Sequence, residues 1–483
     1  MADKRLLFLT GRLAEQRLAD TVAAMGLPNG SWRIANLGIK VAALMTENIV
    51  RNRLKEPLEA DRVIVPGRAR MDLSHLSDHY GVPFERGPDE IIDLPQYFGK
   101  DGGPPDLSKH DIRIFAEIVD APGLSTEALV TKGRELVAKG ADVVDIGCQP
   151  DVKFPHLEET VVAMKRAGLK VSVDSGEVDE LRRGAQAGAD FVLSLDESNV
   201  DAIAGTACVP VLLPRPHGDL DSLLRAIDLC KAKGIPHIAD PVLDPINFGF
   251  MTSLERYAQL RRVRPDVEIL MGTGNLTELT DADSQGVTAM LIGICAELQI
   301  HNVLIVQVSP HTRRTVEEHD AARRLMYRAR EDGNLPKGYD AGLLSLHELR
   351  AFPDTPEQIT ENAKEVRDSN YRIEAATDGL HVYNRDGHHV AQDPFALFDK
   401  LGVEQDGAHA FYLGYELAKA EIARALGKRY SQDGALNWGV AADRKSEDLT
   451  QHAPEGATLK AARKEKKDAA YRRNDRDDEQ REG

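Results

Sequence analysis

Residues 141–150, ADVVDIGCQP, and 169–176, LKVSVDSG, share one form: a short run rich in valine and isoleucine that breaks at a polar cluster carrying an aspartate, Asp145 in the first and Asp174 in the second. The form recurs to either side as IRIFAEIVD ending at Asp120, ADFVLSLDES with Asp196, VPVLLPRPHG, PHIADPVLD with Asp240, VEILMGTGN and NVLIVQVSPH. Each run is about strand length, and amphipathic stretches of ordinary helix length separate them, the pattern of buried parallel strands joined by crossover helices. Gly140, Gly168, Gly188 and Gly234 each close a helical stretch just before a strand, as left-handed helix caps. Eight such units predict a closed (β/α)8 TIM barrel of the α/β class. In that fold chemistry collects on the loops after the strands' carboxyl ends.

That rule selects the candidate site residues. Asp120, Asp145, Asp174, Asp196 and Asp240 end strands, and Cys148, Gln149, Ser194, Arg215, His217, Asn275 and Ser309 follow strands on the same mouth. Any one aspartate alone reads as a helix N-cap. Together they read as a site.

At 483 residues the chain is too long for one barrel, so further domains are expected. Residues 1–105 read as an N-terminal α/β domain, built from RLLFLTG, the helix GRLAEQRLADTVAAMG and the strands WRIANLG and EADRVIVPG, and closed by the linker FGKDGGPPDLSK. The TGRLAE turn offers a helix start to an anion, but a lone Gly11 beside Arg12 is a weak signal, and plain packing is the favoured reading. The barrel is placed at 108–340. Residues 341–365 read as a turn-rich connector, and 366–441 as a C-terminal α+β accessory domain with a β-hairpin turning at Asn384–Gly387 and a helix capped by Gly427. His381, His388 and His389 on that hairpin read as solvated, since no third ligand type completes a metal site. Residues 442–483 nearly lack apolar side chains and read as a disordered charged tail.

The formal net charge of −17 argues against non-specific nucleic-acid binding. No apolar run reaches membrane-spanning length, the start is too short for a signal peptide, and the four cysteines show no paired spacing. The cytoplasm, no membrane and no nucleic acid are therefore expected, with a homodimer as the expected assembly of such a barrel.

The runs GADVVDIGCQP, VSVDSGEVDELRRGAQAGADFVLSL, VPVLLPRPHG and ADPVLDPINFGF resemble the pterin-binding family, most closely the dihydropteroate synthases. The three-part layout resembles the dihydropteroate synthase-related proteins of methanogenic archaea and methylotrophic bacteria, which are linked to tetrahydromethanopterin formation. The resemblance implies a transferase that joins 6-hydroxymethyl-7,8-dihydropterin diphosphate to an aryl amine with release of diphosphate. For this layout the implied amine is 4-(β-D-ribofuranosyl)aminobenzene 5'-phosphate. It places Asp174 and Asp240 at the family's two pterin aspartates and gives Asp145 a largely architectural role.

Other positions depart from the pattern. Ile118 stands where the synthases have the asparagine of their magnesium diphosphate loop, so the resemblance implies Mg2+ while the residues leave the metal open. Cys148-Gln149-Pro150 replaces a Glu-Ser-Thr run, Leu193 or Ser194 an asparagine, and Thr273-Gly274-Asn275 a Ser-Arg-Lys whose lysine contacts pterin and amine. The last strand has Gln307 in place of Arg-Val-His chemistry, with Ser309, His311, Arg313 and Arg314 nearby. Those groups, with Arg215 and His217, are the candidates for a rebuilt anion site. The departures leave two alternatives open: a one-carbon enzyme of methyl-transfer type acting on an assembled reduced pterin, and a non-catalytic carrier.

Overall fold

The computed structural model of the protein describes residues 5–99, 105–443 and 448–450. Almost all of the tail read as disordered, and the middle of the Gly/Pro linker, lie outside the described residues. The chain divides into two compact units, one comprising the described residues within Met1–Pro105, Leu346–Trp438 and Asp443–Gly483, the other Asp106–Ser345 with Gly439–Ala442.

The first unit begins with four parallel strands, β1 (Leu6–Thr10), β2 (Trp32–Asn36), β3 (Arg62–Val65) and β4 (Phe84–Arg86), in the order β2-β1-β3-β4. Alternation explains why both faces are covered. Leu7, Leu9, Val63 and Val65 pack into one core, and Leu6, Phe8 and Ile64 into another on the opposite face. The fourth strand was not expected from sequence, because VPFERG is too short to show a period.

The second unit is the barrel. Its strands are β5 (Arg113–Ile118), β6 (Val143–Gly147), β7 (Val171–Asp174), β8 (Phe191–Leu195), β9 (Val209–Leu212), β10 (Ile238–Ala239), β11 (Glu268–Gly272) and β12 (Asn302–Ile305). All pair in parallel with their neighbours and the ring closes between β12 and β5, as the sequence predicts. Gly140, Gly168, Gly188 and Gly234 all have positive φ, the conformation expected of helix-ending glycines. At Gly140 close approach adds to this requirement, since a Cβ there would lie 2.8 Å from Cβ of Asp320.

Strand alternation again sorts the side chains. Ile114, Ala116, Val144, Ile146, Val171, Val173, Ile269 and Val303 belong to the layer between strands and helices. Phe115, Val143, Phe191, Leu193, Val211, Ile238 and Leu270 fill the barrel interior. By the same parity Glu117, Asp145, Gly147, Ser172, Asp174 and Asp240 point inward, above that apolar floor.

Following the barrel, the chain completes the first unit with a three-stranded antiparallel sheet, β13 (Arg372–Ala376), β14 (Gly379–Asn384) and β15 (Gly387–Ala391), covered by a helix at Gly407–Leu426 that ends at Gly427. The expected hairpin turn at Asn384–Gly387 is present, but Thr377 and Asp378 make a second turn, so a single hairpin becomes a meander. His381 is also not solvated: it is 1% exposed, and its ring nitrogens pair with His388 at 3.0 Å and Asp378 at 2.8 Å. The stretch read as connector contains a helix at Pro356–Lys364, started by a capping box between Thr355 and Gln358. Within this unit the amino- and carboxyl-terminal segments are tied by Asp93, which accepts from Arg350 at 2.9 Å and Arg429 at 2.6 Å.

One buried barrel group has a measurable pH signature. Glu318, fully buried, accepts from Ser284 at 3.0 Å, and burial pushes its carboxyl up to about 7. Its folded pKa lies above the unfolded one, so the stability tied to the protonated form is complete below the ordinary glutamate value and is lost as pH rises through about 7. Glu318→Gln removes that loss. Its melting temperature is expected to exceed that of the wild type by a few degrees, roughly 2–4 °C, at pH 8 and to match it at pH 5. Equal melting at both pH values would mean that Glu318 ionises freely in the folded state.

Candidate functional site at the barrel mouth

The inward residues near the carboxyl ends of β5, β6 and β7 form a carboxyl cluster. Register sets it: Glu117 lies beside Asp145, Asp145 beside Ser172, and Gly147 beside Asp174. Gly147 is required here, because a Cβ at that position would sit 2.4 Å from Glu117 Oε1. The Glu117 carboxyl occupies the space the glycine leaves.

Electrostatics divides the three acids into different roles. Asp145 is fully buried, the Ser172 hydroxyl donates to its Oδ1, and its Oδ2 makes no hydrogen bond among the described residues. Burial and then the nearby charges of Asp174 and Glu117 push its carboxyl well above the ordinary range. Glu117 is raised to about 7, by burial first and Asp174 second. Asp174 is also raised by burial, but the Ser194 hydroxyl donates to its Oδ1 at 2.6 Å and favours the anion. Like charges this close cannot all ionise. Of the three, Asp174 is the one whose hydrogen bond favours the anion, while Glu117 and Asp145 are pushed toward the neutral acid by burial and by its charge.

Ser194 reaches Asp174 because β8 is irregular there. The pairing with β9 shifts register between Val192 and Leu195, and Ser194 has φ of 76°. Such backbone re-aims a side chain and is uncommon outside functional sites. A second unusual residue, Val242 with φ of 67°, follows Asp240. Its amide donates to Asp240 Oδ1 at 2.8 Å, and the Tyr257 hydroxyl donates to the same oxygen at 2.6 Å. Burial first, with a smaller push from the charge of Asp174, raises Asp240 to about 6 against these bonds. The charge of Asp174 is thus felt at Asp240.

The remaining expected residues fall into outer groups. Arg215 donates to Asp196 at 3.0 Å from a side chain 62% exposed, so most of the guanidinium faces solvent. Burial pushes the Asp196 carboxyl up, but the Ser198 hydroxyl and amide and Arg215 outweigh it, leaving Asp196 below its ordinary value. His217 pairs with Asp244 at 2.7 Å, and Arg256 holds the other Asp244 oxygen at 2.7 Å. Asn275 donates to the Leu243 carbonyl at 2.9 Å, bracing the loop after β10. Gln307 donates to the Arg313 carbonyl, the Ser309 amide to Glu278, and His311 pairs with the Thr277 carbonyl. Those three bonds shape the loop after β12, while the Arg313 side chain is exposed. Gln149 is exposed on the loop after β6. Asp120 is exposed and pairs with Lys132 at 3.4 Å, outside the carboxyl cluster.

Glu117, Tyr257 and Arg256 are the groups that reading by strand ends missed. A glutamate at an inward position of an otherwise apolar strand was the available signal for Glu117. Tyr257 and Arg256 come from a helix, and nothing local marks them. Cys148 at the mouth is no thiolate: burial first and Glu180 second push its thiol up.

The first-strand loop does not fit magnesium. Its carboxylate Asp120 is turned to solvent and Lys132, and Ile118 contributes no donor. Among the described residues no group of three or more His, Cys, Asp or Glu side chains is arranged to hold a metal ion, and no helix is long and apolar enough to cross a membrane.

Fold and site together define a (β/α)8 protein with a partly protonated acid cluster in its mouth. Residues 4–89, outside the barrel, match a family model described as a family of unknown function, DUF6513. An uncharacterized protein of Methanocaldococcus jannaschii is 26% identical over 523 residues, spanning 89% of this chain and 98% of that protein. Similar solved structures include dihydropteroate synthase from Thermus thermophilus in complex with 6HMPPP, 19% identical with a TM-score of 0.36, over 45% of this chain and 93% of that one. Dihydropteroate synthase from Xanthomonas albilineans in complex with 7,8-dihydropteroate is 22% identical with a TM-score of 0.35, over 47% of this chain and 95% of that one.

Proposed function

We propose that the barrel is a pterin-utilising transferase that condenses 6-hydroxymethyl-7,8-dihydropterin diphosphate with 4-(β-D-ribofuranosyl)aminobenzene 5'-phosphate and releases diphosphate. The observation that carries this reading is that Asp174, which accepts from Ser194, and Asp240, which accepts from Tyr257 and the Val242 amide, both end barrel strands and point into one interior, where the charge of Asp174 raises Asp240. A pterin ring presents adjacent N–H donors along its pyrimidine edge, and an ionised carboxylate facing two such donors makes an oriented, charge-assisted contact. The neutral acids Glu117 and Asp145 supply O–H donors for the ring's acceptors.

In this reaction the bond between the pterin methylene carbon and the diphosphate oxygen breaks, the oxygen keeps the electron pair, and the aryl nitrogen bonds to the carbon and loses a proton. Charge develops on the leaving group. The groups suited to meet it are Arg215, His217 and Arg313, on the loops after β9 and β12. Arg215 and Arg313 replace the family's lysine with cations from other loops, His217 adds a ring N–H, and a phosphorylated amine needs such donors at its own phosphate as well.

A methyl-transfer enzyme or carrier for a reduced pterin is favoured by one specific feature. Asn275 and its neighbours stand where the synthases present their lysine, and Asn275 is engaged with the Leu243 carbonyl. Diphosphate release separates the readings. Release that requires both the pterin diphosphate and the aryl amine supports the transferase; tight binding of a reduced pterin with no release under any pairing of ligands would sink it.

A further inference from the structure

The first unit holds a cleft of about 1170 Å³, lined by the loops after its parallel strands and by residues from Asp354 to Tyr383. Its place follows from strand order. In β2-β1-β3-β4 the chain runs outward from β1 in one direction and from β3 in the other, so the loops after these two strands diverge and leave a crevice at their carboxyl ends. The crevice walls are backbone packed on backbone. A Cβ at Gly11 would lie 2.9 Å from the Ile39 carbonyl oxygen, and one at Gly67 only 2.4 Å from the Pro88 carbonyl carbon. A cavity framed this tightly is formed before any ligand arrives.

Its chemistry argues against an anion. Eight carboxyl side chains line it against six cationic ones, and Arg17 and Arg68 are already paired with Asp354 and Glu90. The turn after β1 has one glycine where phosphate loops have several, and the helix that follows carries Glu15 in its first turn. Its polar end is richer in acceptors, with Glu90, Asp354 and Glu374 facing the same space, and burial raises both Glu90 and Glu374, the latter to about 7. The lining also includes Leu13, Val41 and Leu44, which are 47%, 40% and 60% exposed.

We propose that this cleft binds a flat, uncharged nitrogen heterocycle bearing an amino group, its ring against Leu13, Val41 and Leu44, and its N–H donors on Glu374 and Glu90. Nucleobases, nucleosides and pterins share that chemistry. The cleft is lined by residues of the first unit alone, and the proposal does not depend on the transferase reading.

Calorimetric titration of the full chain carrying Asp174→Asn, which weakens the pterin contact proposed for the barrel, distinguishes the sources. Adenosine, guanosine and 6-hydroxymethylpterin are titrated separately, with adenosine monophosphate and inorganic phosphate as anionic comparisons. The expected result is one heterocycle bound per chain more tightly than about 1 mM. Leu44→Trp, which fills the cleft from an exposed position, and Glu374→Gln should each weaken it at least about tenfold. Should Glu374→Gln fail to fold, Leu44→Trp decides alone. Absence of binding by all three heterocycles, binding unchanged in the cleft variants, or tighter binding of phosphate than of any heterocycle would each overturn the proposal.

Discussion

Asp174→Asn is expected to weaken binding of a dihydropterin by roughly 1.5–3 kcal/mol, about 10- to 150-fold, and to abolish diphosphate release. The magnitude follows from what the substitution removes. Asparagine keeps the shape and its carbonyl can still accept from Ser194, but the amide is neutral and replaces one acceptor with a donor, which faces the donors of the pterin edge. Stability should move the other way or not at all. Burial works against the charge on Asp174, and that charge pushes up Glu117, Asp145 and Asp240, so the neutral variant is relieved of a buried anion. Calorimetric titration and thermal melting of the same sample separate the effects; a variant that binds normally would remove Asp174 from the site. The pH profile adds a second readout. Glu117 loses its proton at about 7 and with it a donor, so affinity in the wild type should fall as pH rises through that value, and Glu117→Gln should flatten the curve.

Arg323→Met is expected to destabilise the barrel by about 3–5 kcal/mol. Arg323 is 2% exposed, and its guanidinium donates to the Ile112 carbonyl at 2.6 Å, the Gly140 carbonyl at 2.9 Å, Asp320 at 2.7 Å, and also to Asp142. Ile112 leads into β5, Asp142 leads into β6, and Gly140 ends the helix between those strands. One cation thus holds the first two barrel strands to the last barrel helix, and methionine leaves several buried oxygens without their donor. Arg324, next in sequence and 28% exposed, is the control. Arg324 also donates to the Leu107 and Ser108 carbonyls, at 3.2 and 2.9 Å, but from a partly exposed side chain, so Arg324→Met should cost about 1 kcal/mol. Both tryptophans, Trp32 and Trp438, belong to the other unit, so their fluorescence does not follow the barrel. Hydrogen exchange at the amides of β5 and β6 does, and equal loss of protection in the two variants would show that the clamp has no special weight.

The barrel was legible because its signals are local. The eight apolar runs have the length of buried strands, the glycines that close the helices need positive φ, and a two-residue period assigns inward and outward faces without knowledge of any partner. The same locality explains the errors. His381 alternates as a solvated hairpin residue should, yet helix Gly407–Leu426 covers that sheet and the ring ends up buried between Asp378 and His388. The capping box at Thr355 is itself local, but the turn-rich stretch around it masks the helix it starts.

The candidate site was legible only as a set of strand-end residues. Sequence alone determined that Asp174 and Asp240 stand at strand ends, because that depends on short runs of neighbours. Only the tertiary structure decided that Glu117 joins Asp145 and Asp174, that Tyr257 and Val242 hold Asp240, and that Asp120 stays outside. The state of a carboxyl group depends on the water removed from it and on charges brought near it through space. In a parallel barrel those neighbours come from strands about thirty residues apart, in a register that no single strand encodes.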